Sequence, residues 1–150
     1  MSRRKGRILA VQALYSYDVG KMPLENVLTF NWAVPDDKVD VEEVEDNSSK
    51  DFARLIVTGT VEHLNKIDGL IESHLSQSWT MERISRVSLS ILRMSVFMLL
   101  YQKEDVHPNI VIDEAVSIAK EFDADDTYRF INAVLDRISK EFYSDDTTKK

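Results

Sequence analysis

The apolar residues recur at helical spacing along almost the whole chain. The strongest stretch has intervals of three and four residues: Ile84, Val87, Ile91, Met94, Met98 and Tyr101. Further apolar residues between 92 and 100 lie on other sides of the same helix, which is typical of a helix buried inside a bundle. Glycine and proline are rare, at four and three residues, and no strongly alternating strand pattern occurs. We therefore predict an all-α fold.

Other apolar stripes predict further helices around this central one, over residues 8–19, 24–32, 52–71, 112–122 and 131–142. Gly20 is a plausible stop for the first helix, Ile8 to Val19. Ser48 or Ser49 is a candidate N-cap of the third, which we expect to break near Asp68. Pro108 stands at a first helical position, and the acidic turn 123–126 supplies caps for the last helix. The 150 residues fit one domain of six or seven helices.

The net charge of −7 is concentrated in one acidic segment. Between Asp36 and Asp51 there are eight acidic residues and two lysines, which account for six of the seven excess negative charges. We expect residues 35–49 to form a solvated loop with some helical content, and residues 145–150 to form a frayed tail. Because the rest of the chain is close to neutral, a local basic patch could still bind a polyanion.

Such a patch stands at the start of the first predicted helix. It is called the basic cluster below and consists of Arg3, Arg4, Lys5 and Arg7. The helix macrodipole disfavours cations at this end by a few tenths of a kcal/mol each, so their presence indicates an anionic partner. Helix N-termini with Arg and Lys side chains bind phosphate well. We therefore predict nucleic-acid binding, although a terminal run of cations is about as often only a solvated tail.

Aromatic and amide side chains beside the cations indicate single-stranded RNA, whose splayed bases stack and form hydrogen bonds. Gln12 and Tyr15 follow the basic cluster, although Tyr15 also lies in the apolar stripe and could be a core residue. In the last helix Phe130 lies about 100° from the stripe through Ile131, on the same side as Asp126. Phe130 is therefore either a base-stacking platform or a residue that packs against a neighbouring helix.

Patterns for catalysis or for metal binding do not occur in the sequence. His63, His74 and His107 lie in separate elements without ligand spacing, and no Gly-rich phosphate loop, nucleophile elbow or dinucleotide fingerprint is present. Asp113 and Glu114 are adjacent on a helix and point about 100° apart, so we interpret them as first-turn charges. We expect no catalytic residues, no metal and no cofactor.

The chain has no cysteine, which excludes disulfides and thiolate sites and suits a reducing compartment. Its most apolar run, Ile91 to Tyr101, is too short to span a membrane and contains Arg93. No signal-peptide pattern is visible. We expect a soluble cytoplasmic protein without a membrane partner.

Several runs of residues, taken in order, resemble the NusB family of bacterial transcription antitermination factors. They are residues 3–7 (RRKGR), 10–15 (AVQALY), 91–94 (ILRM), 111–115 (VIDEA) after Pro108, 119–120 (AK) and 130–136 (FINAVLD). Each run alone is weak, but the ordered set is specific and covers nearly the whole chain. The resemblance implies an all-helical fold of two small sub-bundles and a non-enzymatic role.

The resemblance also implies partners and contact residues. Family members pair with NusE, which is also a small-subunit ribosomal protein, bind boxA RNA with it, and join an RNA polymerase complex that suppresses termination, notably on ribosomal RNA operons. The basic cluster matches the family's arginine-rich RNA-binding segment, and Tyr15 matches a tyrosine near the RNA path. Asp126 and Phe130 match an acidic residue and an aromatic implicated in RNA contact. Gln12 and Arg129 complete the predicted RNA-binding set, and a homodimer is left open.

Two departures from the family pattern bear on the structure. Ser88 stands where the family usually has an acidic residue, and Asp123 stands where it usually has glycine, so Asp123 must take a strained helix-end turn or use another one.

Two other functions stay open. One is a helical RNA-recognition domain like those fused to RNA methyltransferases, and the other is a protein–protein adaptor without RNA specificity.

Overall fold

The computed structural model of the protein describes residues 3–33, 43–77, 79–124 and 126–148, with side chains at 3–33, 47–77, 79–124 and 126–142. In these ranges the chain forms seven α-helices and one 3-10 turn, Met81–Arg83, and no strand. The helices are α1 (Arg3–Asp18), α2 (Leu24–Val27), α3 (Glu43–Glu62), α4 (Leu64–Ser73), α5 (Arg86–Tyr101), α6 (Pro108–Phe122) and α7 (Thr127–Thr148). The all-α prediction is confirmed.

Helix α5 is the centre of the molecule, as its apolar spacing predicted. It packs against α1, α3, α4, α6 and α7, and every side chain from Ser88 to Leu99 is buried. Its N-cap is Ser85, whose hydroxyl accepts a hydrogen bond from the Ser88 N–H at 3.0 Å. Helix α1 packs on α2 and α3, whereas α6 packs on α7, so two groups of helices share α5. This is the arrangement of two sub-bundles that the resemblance implies.

Arg93 is the charged residue among the buried side chains of α5. Its Nε and Nη2 atoms donate to the two carboxylate oxygens of Asp68 on α4, at 2.9 and 2.8 Å. Its Nη1 atom lies 3.6 Å from the carboxylate of Asp18, at the end of α1. A buried cation needs paired and hydrogen-bonded partners, and this one ties α4 and α1 to the central helix.

Two glycines allow neighbouring helices to approach closely. A Cβ atom on Gly6 of α1 would lie 2.5 Å from the Phe52 ring and 3.2 Å from the Ser49 carbonyl oxygen of α3. A Cβ atom on Gly59 of α3 would lie 2.3 Å from the Phe97 ring of α5. Gly6 therefore sets the distance at which the start of α1 packs on α3.

The helix boundaries differ from the prediction in the first half of the chain. Helix α1 already begins by Arg3, so the basic cluster lies within the helix and not ahead of it. Helix α3 begins by Glu43, so Ser48 and Ser49 lie inside the helix and do not cap it. Packing of α1 against this turn outweighs the preference of serine for a cap position. The segment 35–49 is thus helical from residue 43 onwards, and residues 34–42 lie outside the described residues.

Three further differences concern helix ends. The break after α3 falls at His63 and not near Asp68. Gly69 does not end α4, because a single glycine is tolerated inside a helix, and a Cβ atom there would meet open space. Helix α2 ends at Val27, and Phe30 beyond it has a left-handed φ of 57° that a helix excludes. Helix α7 continues to Thr148, into the expected frayed tail. Asp123 is extended, with a φ of −113°, so it uses another turn and avoids left-handed strain.

Within the described residues, no helix combines the length and the apolar character needed to cross a membrane.

Candidate nucleic-acid interface

Arg4 of the basic cluster is held at the surface by α6. Its Nη1 atom donates to the Ser117 hydroxyl at 2.8 Å, and its Nη2 atom forms an ion pair with Glu121. The Nη1 atom also lies 3.9 Å from the Glu114 carboxylate. The Arg4 side chain is 35% exposed, so the guanidinium can be reached from solvent.

Arg7, one turn further along α1, is buried. Its Nη1 atom lies 3.6 Å from the same Glu114 carboxylate, and its side chain is only 8% exposed. Burial lowers the pKa of Arg7, and the nearby Glu114 carboxylate offsets part of that effect. A guanidinium stays protonated at neutral pH, so Arg7 is a buried cation that joins α1 to α6.

Arg3 and Lys5 lie on either side of Arg4 in the sequence. Arg3 is exposed, and its guanidinium carbon lies 4.4 Å from the centroid of the Phe52 ring, within the range of a cation–π contact. Lys5 is half-buried. The structure therefore divides the basic cluster in two. Arg3 and Arg4 are accessible from solvent and Lys5 is partly accessible, whereas Arg7 lies in the interior.

Gln12 and Tyr15 lie further along α1, at the wall of an open groove. Both are exposed, and the exposed fraction of Tyr15 is 39%, so the interpretation of Tyr15 as a core residue is wrong. The groove has a volume of about 480 Å³, and other walls come from α5 (Val87), α6 (Ile118, Phe122) and the turn after α2 (Trp32, Ala33). Its apolar sides and the amide of Gln12 can accommodate a flat polar ring.

Phe130 and its neighbours form a second group of predicted residues at the start of α7. The Phe130 ring is half-buried, and its centroid lies 5.1 Å from that of Trp79, with the planes tilted by 33°. Phe130 therefore packs against the connection between α4 and α5. Trp79 is exposed, and the Arg83 guanidinium carbon lies 5.5 Å from its ring. Trp79 was not among the candidate residues predicted from the sequence. A large aromatic residue in an otherwise polar connection between helices could have drawn attention to it.

Arg129 and Asp126 are the exposed members of this second group. The Arg129 Nε atom donates to the Tyr128 hydroxyl at 3.1 Å, and this hydrogen bond raises the pKa of Arg129. Asp126 adopts a left-handed φ of 75° immediately before α7. Asparagine and aspartate tolerate this conformation better than other non-glycine residues, which explains an acidic residue at this turn.

Helix α6 lies between the two groups of predicted residues. Ser117 and Glu121 contact Arg4 on α1, whereas the Lys120 amine lies 4.7 Å from the Tyr128 ring on α7. The two groups lie on α1 and α7, and both of these helices contact α6. A ligand that touches both must cross α6.

No group of three or more His, Asp or Glu side chains in the described ranges is arranged to hold a metal ion. Both groups offer cations and aromatic rings, and the first adds the amide of Gln12; these side chains suit phosphates and bases. The second group also carries the exposed carboxylate of Asp126.

Comparison with known proteins gives a consistent result. The sequence matches the model of the NusB family over residues 4–140. A transcription antitermination protein NusB of Treponema denticola is 44% identical over 138 residues, covering 92% of this chain and 96% of the relative. The structure of T. maritima NusB superposes with a TM-score of 0.77 at 32% identity and covers 94% of this chain and 92% of that one. A crystal structure of antitermination factors NusB and NusE with double-stranded RNA shares the fold, with a TM-score of 0.72 at 24% identity, over 93% of this chain and 97% of that one.

Proposed function

The chain belongs to the NusB family, and on this premise we propose that it is a non-enzymatic transcription antitermination factor acting in the cytoplasm. In this role it binds boxA-type single-stranded RNA together with NusE and supports read-through by RNA polymerase, notably on ribosomal RNA operons. The observation that carries the proposal is the helical basic cluster. It keeps Arg3 and Arg4 accessible at the start of α1, on a chain whose net charge is −7.

The accessible cations are the proposed phosphate contacts. Arg3, Arg4 and Lys5 lie within the first turn of α1, where backbone N–H groups without helical partners add to their attraction for anions. Arg7 is buried beside Glu114, so we assign it the task of fixing α1 against α6. The cations capture the RNA backbone but carry no sequence information.

Sequence preference requires contacts to bases, and the remaining predicted residues supply them. We assign Gln12 and Tyr15 to bases over the groove beside α1, where the amide can form hydrogen bonds and the ring can stack. On the other side of α6, Phe130, Asp126 and Arg129 receive the next part of the strand. The Phe130 ring offers its uncovered part for stacking, because Trp79 covers the rest.

A titration of fluorescently labelled RNA tests the proposal. A boxA-like single strand and a scrambled strand of equal composition are each titrated with the protein, with and without NusE, over a series of salt concentrations. We expect tighter binding to the boxA-like strand, further tightening by NusE, and a steep loss of affinity with salt. Equal weak binding to both strands, unchanged by NusE, would contradict the proposal and favour a protein–protein adaptor.

A pair of matched variants tests the assigned surface. Arg3→Ala removes one accessible cation of the basic cluster, whereas Lys140→Ala removes one exposed cation that pairs with Asp136 in the second half of α7. Arg3→Ala should weaken RNA binding and reduce the magnitude of the salt slope by roughly 0.7, the value for one phosphate of a single strand. Lys140→Ala should leave both unchanged. Equal effects of the two variants would count against the assigned surface.

A further inference from the structure

Glu121 pairs with the Nη2 atom of Arg4, a donor that an RNA phosphate could also use. The Glu121 carboxylate forms an ion pair with the Arg4 Nη2 atom, while the neighbouring Nη1 atom donates to Ser117. A carboxylate and a phosphate present the same geometry to a guanidinium, namely oxygens that accept from adjacent N–H groups. The Nη2 atom of Arg4 therefore has two candidate anionic acceptors, Glu121 of α6 and a phosphate of RNA.

Local charge makes these two acceptors compete. The Glu121 side chain is 53% exposed, so its carboxylate faces the solvent from which RNA would approach. A phosphate at the same guanidinium would lie within a few ångströms of this carboxylate, where like charges repel. Ser117 is neutral, so it can keep holding the guanidinium while the charged acceptor is exchanged.

Glu114 is not equivalent to Glu121, although both face the basic cluster. Its carboxylate is shared between Arg4 at 3.9 Å and the buried Arg7 at 3.6 Å. Its Oε1 atom is itself buried, so removing it from Arg7 would leave a buried cation without its partner. An incoming phosphate can displace the exposed Glu121 at far lower cost.

We infer that Glu121 is a built-in competitor of RNA at Arg4, and that RNA binding requires Arg4 to exchange Glu121 for a phosphate. The inference rests on the proposed function, because it assumes that the basic cluster binds RNA. The ion pair lowers RNA affinity and favours ligands that offer several phosphates at once, since isolated anions gain little from displacing a carboxylate. Glu121 thereby sets the affinity of the surface without being a contact itself.

A double-mutant cycle tests the inference. Glu121→Gln preserves the shape of the side chain and removes its charge, Arg4→Ala removes the contested cation, and the third variant combines both changes. Binding to the boxA-like strand is measured for all of them at low and moderate salt. Glu121→Gln should bind roughly two- to fivefold more tightly at low salt, which corresponds to the release of an exposed ion pair. The gain should shrink as salt rises and should vanish in the Arg4→Ala background.

A matched control separates this effect from a general change in charge. Asp113→Asn changes the net charge equally on the same helix, and Asp113 is exposed and takes no part in the ion pairs described for Arg4. We expect it to raise RNA affinity less than Glu121→Gln does. Thermal unfolding of each variant checks that folding is unchanged.

The outcomes distinguish the inference from the function on which it rests. If the unmodified protein shows no preference for the boxA-like strand, the proposed function fails first. If it binds that strand with preference, but Glu121→Gln gives no gain, a gain equal to that of Asp113→Asn, or a gain that persists without Arg4, the competitor role is overturned and the function stands.

Discussion

Arg4 and Arg7 are one turn apart on α1 and face carboxylates of the same helix, yet their surroundings differ. The Arg7 side chain is 8% exposed and lies near a Glu114 oxygen that is itself buried. The Arg4 side chain is 35% exposed, and its partner Glu121 is 53% exposed. Solvent decides what each pair does, because a buried pair cannot separate without leaving an uncompensated charge, whereas an exposed pair exchanges its partner readily. The same residue type is therefore structural at one position and available for a ligand three residues earlier.

The largest effect is expected from breaking the buried pair. Arg7→Ala should lower the free energy of unfolding by about 3 kcal/mol, because the buried oxygen of Glu114 loses the nearer and more buried of its two arginine partners. Urea denaturation followed by circular dichroism measures this change. A loss below about 1 kcal/mol, together with weaker RNA binding, would instead make Arg7 a ligand contact.

A second variant tests the packing of α1 on α3, which positions both arginines. Gly6→Ala places a methyl group 2.5 Å from the Phe52 ring and 3.2 Å from the Ser49 carbonyl oxygen, so the ring or α1 itself must shift. We expect the free energy of unfolding to fall by about 2 kcal/mol, measured by the same urea denaturation. Gly69→Ala is the control, because a Cβ atom there meets nothing within 4 Å. Because alanine favours a helix more than glycine does, Gly69→Ala should raise the free energy of unfolding by roughly 0.5–1 kcal/mol. A similar loss of stability in both variants would argue against a close approach at Gly6.

The comparison can be extended across α6 to the second group. Phe130→Leu keeps an apolar side chain against Trp79 but removes the aromatic face. We expect a loss of about 1 kcal/mol in binding free energy to the boxA-like strand, at the lower end for one stacked base. An anisotropy titration measures it, and Phe142→Leu in the second half of α7 is the control. Unchanged RNA affinity would confine Phe130 to a packing role.

The smallest change in stability is expected at the exposed pair. Arg4→Ala should alter the free energy of unfolding by less than about 1 kcal/mol, because exposed ion pairs contribute little. The same variant should nonetheless weaken RNA binding. If Arg4→Ala destabilised the protein as much as Arg7→Ala, the contrast between the two positions would not hold.

Sequence patterns predicted some helices better than others. The central helix α5 was recognisable because its apolar residues recur at intervals of three and four, which is the spacing of a helix and not of a strand. Helix α6 was recognisable because proline favours the first helical position, where Pro108 stands. The start of α3 was missed because Ser48 and Ser49 resemble caps, although α1 packs on that turn and extends the helix. Trp79 was missed because the sequence does not show which ring it meets.

The sequence by itself determined the helical fold, the buried central helix and the concentration of cations at the start of α1. Each of these properties depends on residues close together in the sequence, so the spacing of apolar residues and the local charge are enough to predict it. The tertiary structure decided which of those cations are accessible, because Glu114, Ser117 and Glu121 come from a helix more than one hundred residues away. Burial against that helix depends on how α1, α3 and α6 pack around α5, and no local pattern in the sequence encodes that packing.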